Sequence, residues 1–263
     1  MQRVDYRGPI SYQFEQWDGA ASLRHAIFTR HGGRSRAPWD SLNFGGTVGD
    51  DPQAVEQNLR IAFDSLELDA DAACTVWQVH SADVVMAEAP MSGRRWLARA
   101  DGLITNRPGL PLLMRFADCV PVLFYDPVHS AVGIAHAGWR GTVKQVVVST
   151  LQAMHDAYGS QPGDVEVGIG PSIGPDHYQI GPEVVEAVAQ SFGTTHDLVR
   201  QASDGTHYLN LWESNRLALS RAGVSKIEVS GLCTASNVAD FYSHRAEHGK
   251  TGRFAAIIAL KAA

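Results

Sequence analysis

The chain has 263 residues, 44% of them hydrophobic, and a formal net charge of -6. That length and apolar content suffice for one large core or two small ones packed together. The negative balance, with no basic stripe, argues against a nucleic-acid partner, because phosphate backbones need clustered Lys and Arg.

Three cysteines, Cys74, Cys119 and Cys233, form no Cys-x-x-Cys pair. An odd, low count argues against a disulfide framework and fits a reducing cytoplasm. The N-terminal residues hold no apolar signal-like core, and no apolar run reaches the length of a membrane span. The expectation is a soluble, cytoplasmic protein of one domain over residues 1–263, without internal repeats or a dividing linker.

In chain order, the first strand-like run is Ala26-Ile27-Phe28-Thr29. Asp50-Asp51-Pro52 then opens a helix whose apolar face is Val55, Leu59, Ala62, Phe63 and Leu66. Thr75-Val76-Trp77-Gln78-Val79 reads as a strand, as does Leu112 to Phe116. Val122 to Tyr125 and Ala131 to Ala135 flank Asp126-Pro127-Val128-His129-Ser130, a hairpin loop. A second helix is expected from about Thr142 to Tyr158, stopping at Gly159. Val165 to Ile169 is a further strand. The third helix runs from Pro182 to Gly193. The fourth starts at Asn210, with Glu213 three residues on in a capping-box-like pattern, and ends at Gly223. Ile227 to Ser230 and Phe254 to Leu260 complete the strands. Strands mixed with helices, including a hairpin, predict an α+β fold with mixed sheets.

Three residues carry the chemistry: His80 in Gln-Val-His-Ser, Cys119 in Ala-Asp-Cys-Val-Pro, and His136 in Ala-His-Ala-Gly-Trp-Arg-Gly-Thr. Each ends a strand-like run beside turn chemistry, where loop-built clefts form. The Cys119 and His136 segments are adjacent strands of the proposed hairpin or lie close to it, and that proximity lets the imidazole lower the thiol pKa for a nucleophile or a metal ligand. Two imidazoles and one thiolate make an open three-ligand metal site. Free N–H groups after Gly141, helped by Arg140, offer a place for an anion. His244-Arg-Ala-Glu-His248 fits the His-x-x-Glu-His pattern of inverted zinc proteases. Gly249 and Gly252 interrupt any helix there, and no Asp or Glu follows as a third ligand, so a protease reading is set aside; Ser243, His244 and Arg245 can still line a pocket.

With these segments in hand, the chain resembles the bacterial multicopper-polyphenol-oxidase or laccase-domain family, described as purine nucleoside phosphorylases with adenosine deaminase activity. The matching stretches are Thr29-Arg30-His31-Gly32-Gly33, Ser41-Leu42-Asn43-Phe44-Gly45, Val48-Gly49-Asp50-Asp51-Pro52, Gln78-Val79-His80 and Asp101-Gly102-Leu103-Ile104-Thr105. Ala117-Asp118-Cys119-Val120-Pro121, His136-Ala-Gly-Trp-Arg-Gly-Thr142, Gly170-Pro171-Ser172-Ile173 and Phe241-Tyr242-Ser243-His244-Arg245 follow in family order. The resemblance implies α+β layers with helices outside the sheets. It implies zinc held by His80, Cys119 and His136, and purine nucleosides and phosphate as substrates. It places Arg140 among the catalytic residues and Asn43 and Arg245 in the substrate pocket. Phe44, Ala246 and Arg115-Phe116 depart from the usual family residues and leave the metal ligands intact.

Rival chemistries stay open at this level. His₂Cys also suits copper, although the 11 histidines include no His-x-His pair. Some family members are described as peptidoglycan-precursor editing factors that remove a misplaced L-serine, with Cys119 as nucleophile and His136 as base. A metal-storage protein without turnover is the non-enzymatic alternative. Neither the preferred nucleoside nor the oligomeric state is legible in the sequence.

Overall fold

A computed structural model of the protein describes residues 1–5, 8–91 and 95–262. Strands β1 (Gln2–Val4), β2 (Ser11–Gln13) and β3 (Leu23–Phe28) precede helix α1 (Pro52–Ser65). Strands β4 (Val84–Met86), β5 (Gly102–Thr105), β6 (Leu112–Phe116), β7 (Val120–Asp126) and β8 (Ala131–Ala137) follow. Helices α2 (Trp139–Val143) and α3 (Val146–Tyr158) lead to β9 (Glu166–Ile169), β10 (Gln179–Ile180) and α4 (Pro182–Phe192). The chain ends with β11 (Val199–Gln201), β12 (His207–Leu209), α5 (Leu211–Arg221), β13 (Lys226–Val229) and β14 (Phe254–Leu260).

Two sheets stack face to face. One has the order β1-β2-β3-β14-β6 and the other β13-β9-β7-β8-β5-β4; a small sheet, β10-β12-β11, stands apart. Its edge pairs β13/β9 and β4/β5 make the larger sheet mixed, since they are parallel and its inner pairs are antiparallel. The α+β expectation therefore holds.

Alternation along the strands sets the layers. On β7, Val122 and Phe124 join α3, α4 and α5 in one core, whereas Leu123 and Tyr125 join Phe14, Ile27, Met114 and Ile258 between the sheets. On β8, Ala131, Ala135 and Ala137 face the helices and Val132 and Ile134 face the other sheet. On β14, Ala255 and Ile257 turn outward to Phe63 and Leu66 at α1. The result is four layers, with α1 outside one sheet and α3 to α5 outside the other. Close approach between the sheets depends on Gly168, where a Cβ would lie 2.4 Å from the Phe14 ring.

Helix ends follow the expected chemistry. Asp51 caps α1 by accepting from the Gln53 N–H at 2.9 Å, with Pro52 behind it. Asn210 caps α5 by accepting from the Glu213 N–H at 3.1 Å. The reciprocal half of a capping box is absent, because the Glu213 carboxylate pairs with Arg216 at 2.6 Å instead. Gly159 and Gly193 end α3 and α4 in the left-handed conformation that favours glycine.

Two expectations need correction. The helix expected over Thr142 to Tyr158 is two helices, α2 starting earlier at Trp139 and α3 at Val146, separated by Gln145 at φ 62°. The Gln145 side chain donates to Ser191 Oγ at 2.9 Å, which holds the break where no Gly or Pro announces it. The run Thr75 to Val79 is not a strand: Cys74 and Trp77 form isolated bridges to Leu112 and Arg99. Gln78 explains why. Its side-chain amide, rather than its backbone, pairs with the Arg115 N–H and C=O on β6, at 3.0 and 2.8 Å. A side chain standing in for a strand leaves the backbone free to turn two residues later. No helix among the described residues is long and apolar enough to cross a membrane.

Candidate metal centre

The antiparallel register of β7 and β8 pairs Pro121 with His136 and Val120 with Ala137. Cys119, one residue before β7, thus arrives beside the end of β8. His136 shares its face of β8 with Val132 and Ile134, so the ring enters the gap between the sheets, 5.4 Å from the Phe116 ring. Gly138 caps this corner. A Cβ there would lie 2.8 Å from Cys119 Sγ and 3.0 Å from the His80 ring. Glycine is needed because the donors close against its backbone.

His80 comes from the loop that Gln78 releases and sits at φ 60°, a left-handed conformation rare outside glycine. The fully buried carboxylate of Asp101 holds that loop. Its Oδ2 accepts from the N–H groups of Val79 and Ser81 at 3.0 and 2.7 Å and from Ser81 Oγ at 3.0 Å. Its Oδ1 accepts from His136 Nδ1 at 2.8 Å. One carboxylate therefore braces both histidines and leaves His136 Nε2 for the site.

The donor atoms of His80, Cys119 and His136 lie within 4.8 Å of one another. Among the described residues no other group of three His, Cys, Asp or Glu gathers in this way. Zinc bonds of about 2.0–2.3 Å place tetrahedral donors roughly 3.3–3.6 Å apart. Cys119 Sγ and His80 Nε2 are 3.8 Å apart, close to that spacing. Donor set, spacing and the carboxylate behind His136 all fit a metal with one open position.

The local charges reinforce each other. Burial disfavours the Cys119 thiolate, but the His136 and His80 imidazoles outweigh it and bring the thiol down to about 6. Burial likewise opposes the His136 imidazolium, yet the Cys119 thiolate and Asp101 carboxylate hold it up at about 9. Burial would raise Asp101; the His136 hydrogen bond and the Ser81 and Val79 N–H groups instead bring it down to about 2.

The three donors line a cleft of about 840 Å³. Trp77 and Trp96 line it too, in edge-to-face contact at 4.5 Å, with Arg95, Arg115, Arg253 and His244. Arg140, Arg245 and Asn43 lie outside that lining. Arg140 is exposed and covers the Trp139 ring at 4.3 Å. Arg245 covers the Tyr178 ring at 5.2 Å and donates to the Gln179 carbonyl at 3.1 Å. Burial raises the Tyr178 phenol; the Cys119 and Asp118 charges push the same way and the Arg245 and Arg140 charges oppose it. Asn43 is buried, with its amide engaged by Asp50, Gly45 and the Arg253 N–H. It shapes the cleft wall from behind. His244 to His248 form turns rather than a helix, and Glu247 is taken up by Arg30, Ser243 and Thr251. Only His244 of that pentapeptide reaches the cleft.

Sequence reasoning did not single out Asp101, Gly138, Arg253 or the two tryptophans. An Asp-Gly pair directly before the apolar run Leu103-Ile104 was the available signal for Asp101, since a carboxylate at the edge of a buried strand needs partners.

The chain is similar to known proteins over most of its length. The family model described as multi-copper polyphenol oxidoreductase laccase matches residues 24–261. The chain is 38% identical over 244 residues to a Bacillus subtilis protein named purine nucleoside phosphorylase YlmD, covering 89% of this chain and 87% of the relative. Crystal structures of Bacillus licheniformis YfiH and Geobacillus stearothermophilus YlmD both superpose with a TM-score of 0.91, at 36% and 34% identity, covering 98% of each chain. Matched over most of its length by family model, sequence and fold, the chain belongs to the multi-copper polyphenol oxidoreductase laccase family.

Proposed function

We propose that the protein is a zinc-dependent purine nucleoside enzyme that phosphorolyses adenosine, inosine, guanosine and methylthioadenosine and deaminates adenosine. The observation that carries the proposal is the three-donor centre at the cleft, in a chain similar over most of its length to proteins named purine nucleoside phosphorylase. In phosphorolysis a phosphate oxygen bonds to C1′ as the C1′–N9 bond breaks, and the purine leaves with a proton. In deamination water adds at C6 and ammonia leaves.

His80, Cys119 and His136 would hold the metal. Zinc held there would supply a Lewis acid able to activate water near neutral pH. The chain's own residues supply position. Asp101 fixes the His136 tautomer, and Gly138 lets thiolate and imidazole approach. Trp77 and Trp96 offer flat apolar surface to a purine. Arg245, over the Tyr178 ring, and the exposed Arg140, over the Trp139 ring, would meet groups of the substrate that project from the cleft.

The proposal is tested by chromatography of adenosine incubated with the wild-type protein, with and without phosphate, beside Cys119→Ala. Adenine with ribose 1-phosphate, or inosine, formed by the wild type alone supports it. Adenosine, inosine, guanosine and methylthioadenosine all left intact by the wild type overturn it; intact adenosine alone weakens it and brings muropeptide editing forward.

One observation favours a second reading. A thiol brought down to about 6 beside an imidazole also suits nucleophilic hydrolysis by Cys119 with His136 as base, as in removal of L-serine from a peptidoglycan precursor. Such a dyad works in the presence of a chelator, whereas the zinc enzyme stops. Copper-dependent phenol oxidation rests on the family's description, and stoichiometric copper with phenol turnover would bring it forward.

A further inference from the structure

The cleft carries three arginines and one carboxylate, Glu56, which is turned to Arg60 at 2.9 Å. Among the described residues, none of Arg95, Arg115 and Arg253 forms an ion pair. Arg115 is part-buried; its Nε donates to the Phe44 carbonyl at 2.7 Å and its Nη1 to Thr75 Oγ1 at 3.0 Å. Arg253 is part-buried and donates through Nη1 to the carbonyls of Thr251 and Gly252 at 3.2 and 2.7 Å. Arg95 donates to the Gly46 carbonyl at 3.3 Å and covers the Trp96 ring. Neutral acceptors thus fix each guanidinium in place without cancelling its charge.

Holding unpaired cations out of water is unfavourable. Burial pulls the Arg115 guanidinium down to about 10, and the charge of Arg95 pushes the same way. Burial pulls Arg253 down as well, while the Cys119 and Asp118 charges support it; Arg253 lines the same cleft as the three donors. The free N–H groups of two fixed guanidinium forks match the oxygens of a tetrahedral oxyanion better than a single carboxylate.

We propose that Arg115 and Arg253, with Arg95 at the rim, form a binding subsite for a phosphoryl dianion in the cleft beside His80, Cys119 and His136. The inference deepens the nucleoside reading and rests on it only for the dianion's role as second substrate. Two sources share this chemistry, free inorganic phosphate and the 5′-phosphate of a nucleotide.

The test titrates inorganic phosphate, AMP and adenosine into the zinc-loaded full chain, with calorimetry as the readout. Phosphate should bind, and Arg115→Met and Arg253→Met should each weaken it about tenfold or more. Arg115→Lys should lose less than Arg115→Met, and the exposed Arg95→Met should lose least. Phosphate binding that persists beside adenosine identifies free phosphate. AMP binding far tighter than adenosine, with the excess lost in both methionine variants, identifies a nucleotide.

The proposal falls if the protein binds neither phosphate nor AMP. It also falls if folded Arg115→Met and Arg253→Met, checked by near-UV circular dichroism, bind both as the wild type does. Arginine-dependent phosphate binding without nucleoside turnover overturns the nucleoside reading and leaves the subsite standing. Turnover whose KM for phosphate is unchanged in both variants does the reverse.

Discussion

Cys119 and His136 reach the three-donor centre along paired strands, whereas His80 reaches it from an irregular loop. The first two are placed by sheet register, which fixes Pro121 opposite His136 and buries both faces of β7 and β8. The third is placed by side chains: Gln78 substitutes for a strand, and Asp101 holds the N–H groups on either side of His80. Register is stiff because a one-residue slip would turn every side chain to the wrong face. A loop at positive φ has no such protection and depends on a few hydrogen bonds to a buried acceptor. The same three-donor centre therefore rests on two kinds of support, and Asp101 joins them.

Removing that joint should have the largest effect. Asp101→Ala leaves several buried donors without an acceptor, and each is worth about 1–3 kcal/mol. A loss of roughly 3–5 kcal/mol in chemical denaturation is expected, with metal affinity down about 10- to 100-fold in a chelator competition. Unchanged metal affinity would show that the loop holds His80 without the carboxylate.

Asp101 also gives the comparison a pH signature. Its pKa is depressed in the folded protein to about 2 from the ordinary 3.8, so its contribution to stability is full above the ordinary value. That contribution is lost as pH falls through about 2. The stability difference between the wild type and Asp101→Asn should therefore shrink across that acid window, read by thermal melts. A difference independent of pH would assign the effect to packing alone.

Gly138→Ala sharpens the comparison from the other side, because the new Cβ would press on Cys119 from the hairpin and on His80 from the loop. Overpacking of this kind costs about 1–3 kcal/mol. The softer loop should yield first, so the variant should stay folded while binding metal more weakly. Retained wild-type affinity would mean that the centre has more room than its backbone shows.

The smallest effect is a proton count. Near pH 7.5 the thiol at about 6 is already ionised and the imidazole at about 9 is still protonated. Zinc binding to metal-free protein should then release about one proton, and that proton comes from the hairpin histidine. Calorimetry in buffers of different ionisation enthalpy reads the number. Two protons released would contradict an ionised thiol.

What the sequence revealed follows the same division. Hairpin, caps and terminal strand were legible because alternation, Pro at an early helical position and Gly after the last turn act locally. The Cys119 and His136 motifs were legible because they flank the ends of regular strands. Thr75 to Val79 misled because its apolar pattern is that of a strand, while the pairing is done by the Gln78 side chain. The break at Gln145 was hidden because its cause, Ser191, lies on α4. The cleft arginines come from a loop, from β6 and from the approach to β14, so only the fold brings them together. Asn43, read from family resemblance as a pocket residue, is engaged entirely within the protein and braces the Gly45 turn.

The hairpin that carries two of the three donors touches both the helix-side core and the inter-sheet core. Opening it means disrupting both at once, so its amides belong to the last part of the molecule to exchange with solvent. Strands β1 and β2 at one edge, and the small β10-β12-β11 sheet, are short and partly exposed, and they open at far lower cost. The periphery can therefore fray repeatedly while Cys119 and His136 keep their places, so the lifetime of that pair follows the global unfolding rate and local opening of the centre is left to the His80 loop.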